Sequence, residues 1–302
     1  MTFNQLIEFL HEVNDLGALD KHAIRDLRDC GLSAHHGPSI KNHLYNKNID
    51  DCTFEDGTAP NQILNVLLAN EDIEAYVKFI QNPLTLDSVP RHGNLRNIFS
   101  MFKDQTIRDL LLVEGKEGGR GVGKGEVFLA SLFQDVKMQK ETKGDCDWNG
   151  KYLEVKGSSA RLGGRDRKFT NFYSTKFGKQ FTDKDNGDIA RGIVNNHISW
   201  FDIDRFCKAA WPHGDYSVLE GIDLHNDTLV RKALTKICFS NYASKEGVDW
   251  FVFINTKKKA PNAGGNYRVF NVSEMYNLID ENKIGCGRIK VGNLDPCITA
   301  VK

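Results

Sequence analysis

The chain has no run of about 18 uncharged apolar residues, so it offers no segment suited to a transmembrane helix. Its first residues, Met1 to Glu8, lack the basic stretch and apolar stretch of a secretory leader. The seven cysteines are odd in number and contain no Cys-x-x-Cys pair. They argue against a disulfide framework, and Cys30, His35, His36 and Cys52 match no familiar zinc spacing. The expectation is a cytoplasmic protein with no membrane partner. An excess of charge is also missing, with 40 Lys and Arg against 40 Asp and Glu. No internal repeat and no low-complexity tract is visible. What is present, in 302 residues that are 26% charged and 40% hydrophobic, is ordinary globular composition. The length allows two domains or one large one.

The balanced charge hides an asymmetry. Residues 1–108 carry 10 basic and 15 acidic side chains, whereas 149–180 carry eight basic and two acidic. A local basic stripe is the footprint of a polyanionic partner.

The first hundred residues read as helices. Phe3, Leu6, Ile7, Leu10 and Val13 have helical spacing behind a Thr2–Gln5 capping box, and Asp20 opens a second helix ending near Gly31. Pro60 suits a first helical turn, and Ile73, Tyr76, Val77 and Ile80 share a face. A helical N-terminal domain is therefore expected over 1–105. Beyond it, Leu110–Val113 reads as an apolar strand before a glycine-rich loop, then 126–133 as a helix and 136–139 as a strand. Thr228–Phe239 reads as a helix, and 250–254 and 267–272 as strands. Ser273 is placed as the cap of a short helix, and 284–291 as a strand closing the sheet. Strands mixed with helices indicate an α/β or α+β fold.

The informative stretch is Gly144 to Gly157. Asn149-Gly150 between alternating runs signals a two-residue type I′ hairpin. That turn pairs Trp148 with Lys151, Asp147 with Tyr152, Cys146 with Leu153 and Asp145 with Glu154. Alternation then puts Cys146, Trp148, Leu153 and Val155 on an apolar face, and Asp145, Asp147, Glu154 and Lys156 on the other. Opposed carboxylates repel, and a hard divalent cation relieves them. A nearby lysine suits the activation of water and the charge that develops at phosphorus.

Asp145 followed by Glu154-Val155-Lys156 resembles the PD-(D/E)xK nucleases, the restriction-endonuclease-like superfamily; Gly144 stands where that family commonly has Pro. The resemblance covers 126–157 well and 250–254 loosely. It implies a nuclease domain over 106–302, with a central mixed β-sheet flanked by helices and an insertion or DNA-contacting region at about 157–247. It further implies that Asp145, Glu154 and the Val155 carbonyl hold Mg²⁺, with Mn²⁺ able to substitute. Lys156 would serve the attacking water, and Glu126 would join the catalytic set as an auxiliary ligand.

Downstream come Arg161, Arg165, Arg167 and Lys168, and then Phe169, Phe172, Tyr173, Phe177 and Phe181 interleaved with Lys176 and Lys179. These cations, with Arg120 and Lys124 of the glycine-rich loop, are the expected contacts to double-stranded DNA. Gly118 to Gly125 also contains G-x4-G-K, but Gly125 stands where a P-loop needs Ser or Thr for Mg²⁺. His197 and His213 stand in no pattern that selects them. The sequence thus leads to a Mg²⁺-dependent endodeoxyribonuclease, restriction-like or homing-like, acting as a homodimer because duplex cleavage needs two sites. The competing readings are a non-catalytic DNA-binding protein on a nuclease-like scaffold and a P-loop-like NTPase.

Overall fold

A computed structural model of the chain describes residues 36–49, 59–113, 115–117, 120–139, 143–157, 162, 184–197, 199–255, 266–290 and 298–299. The helices expected before residue 32 lie outside them. In chain order the elements are α1 His36–Tyr45, α2 Ala59–Ala69, α3 Ile73–Gln81, β1 His92–Asn94, α4 Leu95–Ile98, α5 Asp104–Leu110, β2 Gly115–Glu117 and β3 Arg120–Val122. There follow α6 Glu126–Leu132, β4 Val136–Met138, β5 Cys146–Trp148, β6 Lys151–Gly157, α7 Ile189–Val194, α8 Trp200–Ala210 and α9 Asp227–Glu246. The last are β7 Trp250–Ile254, β8 Asn266–Asn271, α10 Val272–Asp280, β9 Gly285–Cys286 and β10 Ile298–Thr299. Six strands form one mixed sheet in the order β1-β8-β7-β6-β5-β4, flanked by helices, so the fold is mixed α/β.

Two units divide the chain, one formed by 1–151 with 254–267 and the other by 152–253 with 268–302. In the first, α2 begins with Pro60 inside its first turn, where a missing N–H costs nothing. Asp72 precedes α3 without capping it. Its buried carboxylate instead accepts from Lys103 N–H (2.8 Å) and from the Thr106 hydroxyl, which ties α3 to α5. An aromatic cluster of Tyr76, Phe79, Phe99, Phe102, Phe128 and Phe133 fills the interior, with rings in edge-on and tilted contact. Lys47 closes the C-terminal end of α6. Its ammonium donates to the carbonyls of Phe133 (2.7 Å), the residue just past the helix, Gln134, and Val136 of β4 (3.1 Å), so one buried donor satisfies three backbone acceptors.

In the second unit the long helix α9 is central. Asn226 caps its start, and Gly247 in the left-handed region (φ 63°) ends it. One side buries Val230, Leu234 and Ile237 with α7, α8 and Trp211. Another packs Phe239 and Ala243 against Phe251, Phe253 and Phe270 of the strands and Met275 of α10.

Four local expectations change. Leu110 ends α5 and Leu111 and Leu112 form a turn, because Leu110, Leu111 and Val113 are buried by helical packing rather than in a strand. The cap of α10 is Asn271, in a reciprocal capping box with Glu274 that Ser273 would shift by a turn's half. The chain at 285–286 pairs antiparallel with 298–299 outside the main sheet. Helix α9 runs seven residues beyond Phe239, to Glu246.

Candidate active site

The hairpin turn takes the form its sequence dictates. Asn149 (φ 51°) and Gly150 (φ 79°) are both left-handed, as a type I′ turn requires. A Cβ at Gly150 would meet nothing within 4 Å, so the backbone conformation rather than crowding calls for glycine. Asp147 accepts from Gly150 N–H (3.0 Å) and is thereby engaged in holding the turn. Lys151 Nζ lies 4.8 Å from the Trp148 ring centre, a cation–π contact across the turn. β5 pairs antiparallel with β4, Trp148 opposite Val136 and Cys146 opposite Met138, all four buried. The indole N–H of Trp148 donates to Asp135 (2.9 Å).

On β6 the expected apolar face is buried, with Leu153 and Val155 inside. Glu154 is buried as well, at 4% exposure, so the middle of this strand is covered on both faces. A carboxylate so far removed from water is tolerated only with strong partners. Two are present. Lys156, on the same strand face two residues on, donates from Nζ to Glu154 Oε1. Tyr242 Oη, reaching from α9, donates to the same oxygen. Lys156 Nζ also sits 5.2 Å from the centre of the Tyr242 ring. Both donors converge on Oε1, and among the described residues none reaches Oε2. The strand is fixed against β7 by a reciprocal pair. Asp249 N–H donates to the Tyr152 carbonyl and Tyr152 N–H to the Asp249 carboxylate, each at 2.9 Å.

The structure therefore brings together Glu154, Lys156 and, on the strand between them, Val155. Asp145 belongs to the other unit. It is half-buried in the bend that leads into β5, its carbonyl accepting from Gln139 N–H at 3.1 Å. Glu126, also there, is the first residue of α6 and turns back to accept from Gly123 N–H (2.8 Å). A Cβ at Gly123 would come within 2.3 Å of that Glu126 oxygen, so glycine permits the contact. Lys124 is exposed beside this loop, and Arg120 lies on β3, paired with Glu117 in a short hairpin. Arg161, Arg165, Arg167, Lys168, Lys176 and Lys179 lie outside the described residues. Among the described residues, no group of three or more His, Cys, Asp and Glu is gathered as a closed metal cage would need.

Tyr242 is the site residue that sequence reasoning missed. The signal was Gly247, a residue type favoured just past a helix end. It extends α9 by two turns and carries Tyr242 onto the face occupied by Phe239. The G-x4-G-K stretch itself contains β3, paired with β2 in a short hairpin, and the apolar run ahead of it begins at the end of α5. The loop's G-x4-G-K thus lacks the long buried strand that precedes a phosphate-binding loop. No family model, no curated protein and no solved structure matches the chain.

Proposed function

We propose that this chain is a Mg²⁺-dependent endodeoxyribonuclease with a restriction-endonuclease-like core, and that Glu154 and Lys156 are its central catalytic pair. The observation that carries the reading is a buried carboxylate held by a lysine two residues along the same strand, with one carboxylate oxygen left to other use. Such a pair is an expensive arrangement for stability alone. The donor chemistry fits Mg²⁺, which takes hard carboxylate oxygens, a few at a time, and completes its shell with water and substrate phosphate. Glu154 Oε2 and the Val155 carbonyl would hold it. When bound, the ion supplies charge stabilisation at the phosphate under attack.

The chain's own residues do the rest. Lys156 holds a positive charge beside Glu154 and is the group that orients the attacking water and steadies the developing charge on the phosphate oxygens. Tyr242 fixes the Glu154 carboxylate and is a positioning residue. Glu126, engaged with its own loop, is assigned the auxiliary-ligand role. The basic segment 161–179, with Arg120 and Lys124, supplies contacts to the phosphate backbone, and two copies of the chain would cut the two strands.

The test is cleavage of supercoiled and linear duplex DNA with Mg²⁺, beside EDTA and the Glu154→Ala protein. Discrete fragments lost in the variant establish a site-specific endonuclease, and a smear one of low specificity. Binding without cutting under all conditions would favour a DNA-binding protein on a nuclease-like scaffold.

A further inference from the structure

The segment 184–210 looks neutral in sequence, with Lys184, Arg191, Arg205 and Lys208 against Asp185, Asp188, Asp202 and Asp204. Folding separates the two signs. Asp185 is buried, where it meets His197 Nδ1 (2.6 Å) and accepts from the Asn195 amide (2.9 Å). Asp188 is buried under Arg231, with Arg–carboxylate distances of 3.0 and 3.2 Å. Asp202 is taken up by Ser199 at the start of α8 (2.6 Å), and Asp204 by Lys208 (2.8 Å). The four basic side chains are all exposed, and none of the four aspartates is.

Helix α8 shows the same sorting on its two faces. Trp200, Cys207 and Ala210 turn inward onto the cluster with α9. Phe201, Arg205 and Lys208, at i, i+4 and i+7, share the opposite face with the half-buried Asp204, whose carboxylate pairs with Lys208 (2.8 Å). Phe201 is 74% exposed, the most exposed large apolar side chain among the described residues. An exposed aromatic followed along the helix by Arg205 and by a lysine bridged to Asp204 leaves one net positive charge beside the ring, an unusual pairing for a face that meets only water. It matches what a nucleic-acid surface asks for. Cations neutralise phosphates, and an apolar ring stacks on a base or wedges between base steps.

We infer that the outward face of α8, with Phe201, Arg205 and Lys208, is a duplex-DNA contact surface made by residues other than the basic run at 161–179. The inference rests on the nuclease reading only for the choice of duplex DNA as the polyanion. The experiment is binding of a fluorescein-labelled 30-base-pair duplex to the full chain in EDTA, titrated over a series of KCl concentrations. Phe201→Ala, Arg205→Gln and Lys208→Ala change exposed side chains, and Lys78→Ala, at an exposed lysine of α3, is the control. Arg205→Gln should weaken binding several-fold at low salt and reduce the slope of log K against log salt by about 0.9. Phe201→Ala should weaken it roughly tenfold with the slope unchanged, the signature of a lost stacking or wedging contact. Lys78→Ala should bind like the parent.

The inference is overturned if the three α8 variants match the parent in affinity and slope, or if an RNA duplex outcompetes the DNA. Cleavage is scored separately. A chain that fails to cut with Mg²⁺ but loses binding through α8 sinks the nuclease reading and keeps this one. A chain that cuts normally with all three α8 variants does the reverse.

Discussion

Tyr242 and Glu154, 88 residues apart in the chain, meet through a hydrogen bond from the phenol to the carboxylate oxygen that also receives Lys156. A hydrogen bond to a buried charged group contributes about 1.5–3 kcal/mol. Tyr242→Phe keeps the ring and removes the donor, so urea unfolding should show a loss of that size. If the phenol also positions Glu154 for the metal, the variant should need more Mg²⁺ for half-maximal cleavage. An unchanged Mg²⁺ requirement would leave Tyr242 a structural residue only.

The Glu154–Lys156 pair makes a sharper test, because its two members are not equivalent in isolation. Lys156→Ala leaves a buried carboxylate with one donor, and breaking a buried pair in this way costs about 3–5 kcal/mol. Glu154→Gln combined with Lys156→Met removes both charges and leaves no orphan. The double variant should be more stable to urea than Lys156→Ala while remaining inactive in cleavage. Stabilities that simply add, with no recovery in the double variant, would mean that the two side chains are not coupled.

The parts of this molecule that were legible from sequence are those fixed by local chemistry. Asn149-Gly150 specifies its turn because few residues accept two successive left-handed conformations, and the buried alternation of Cys146, Trp148, Leu153 and Val155 follows from a period of two. Glu154 and Lys156 share a strand face for the same reason. What escaped required knowledge of long-range packing. Tyr242 reaches Glu154 only because α9 lies over β6 within their unit, and nothing local to Tyr242 says so. Leu110–Val113 has the apolar run of a buried strand, and periodicity over four residues does not separate that from a helix end. The charge of 184–210 sums to zero in the sequence, and only the fold reveals that Asp185 and Asp188 are buried while the four basic side chains face water.

Asp135 anchors the hairpin from the β4 side. One oxygen accepts from Leu86 N–H (2.7 Å) and the other from the Trp148 indole (2.9 Å). Asp135→Ala strands both donors, and each unsatisfied buried donor costs about 1–3 kcal/mol. The variant should lose several kcal/mol in urea unfolding, and Trp148 emission should shift as the indole N–H loses its partner. Asp135→Asn keeps an acceptor oxygen and should fall between. An Asp135→Ala protein as stable as the parent would remove this carboxylate from the framework of the site.

Lys47 links stability to pH in a direction opposite to that of an ordinary exposed lysine pair. Burial lowers its pKa to about 8, Asp135 opposes that shift, and Lys137 adds to it. In the unfolded chain the group titrates near its usual value of 10.5. Between these two values the unfolded state holds more protons than the folded state, so stability rises with pH across that window. Below pH 8 both states are charged, and the full penalty of burying the ammonium is present. Lys47→Met should be less stable at every pH, since the carbonyls of Phe133, Gln134 and Val136 lose their shared donor. Its stability should nevertheless lack the rise seen in the parent between pH 8 and 10, measured by urea unfolding at half-unit steps. Parallel pH profiles for the two proteins would show that Lys47 stays charged in the folded chain through that range, with its three carbonyls offsetting burial completely.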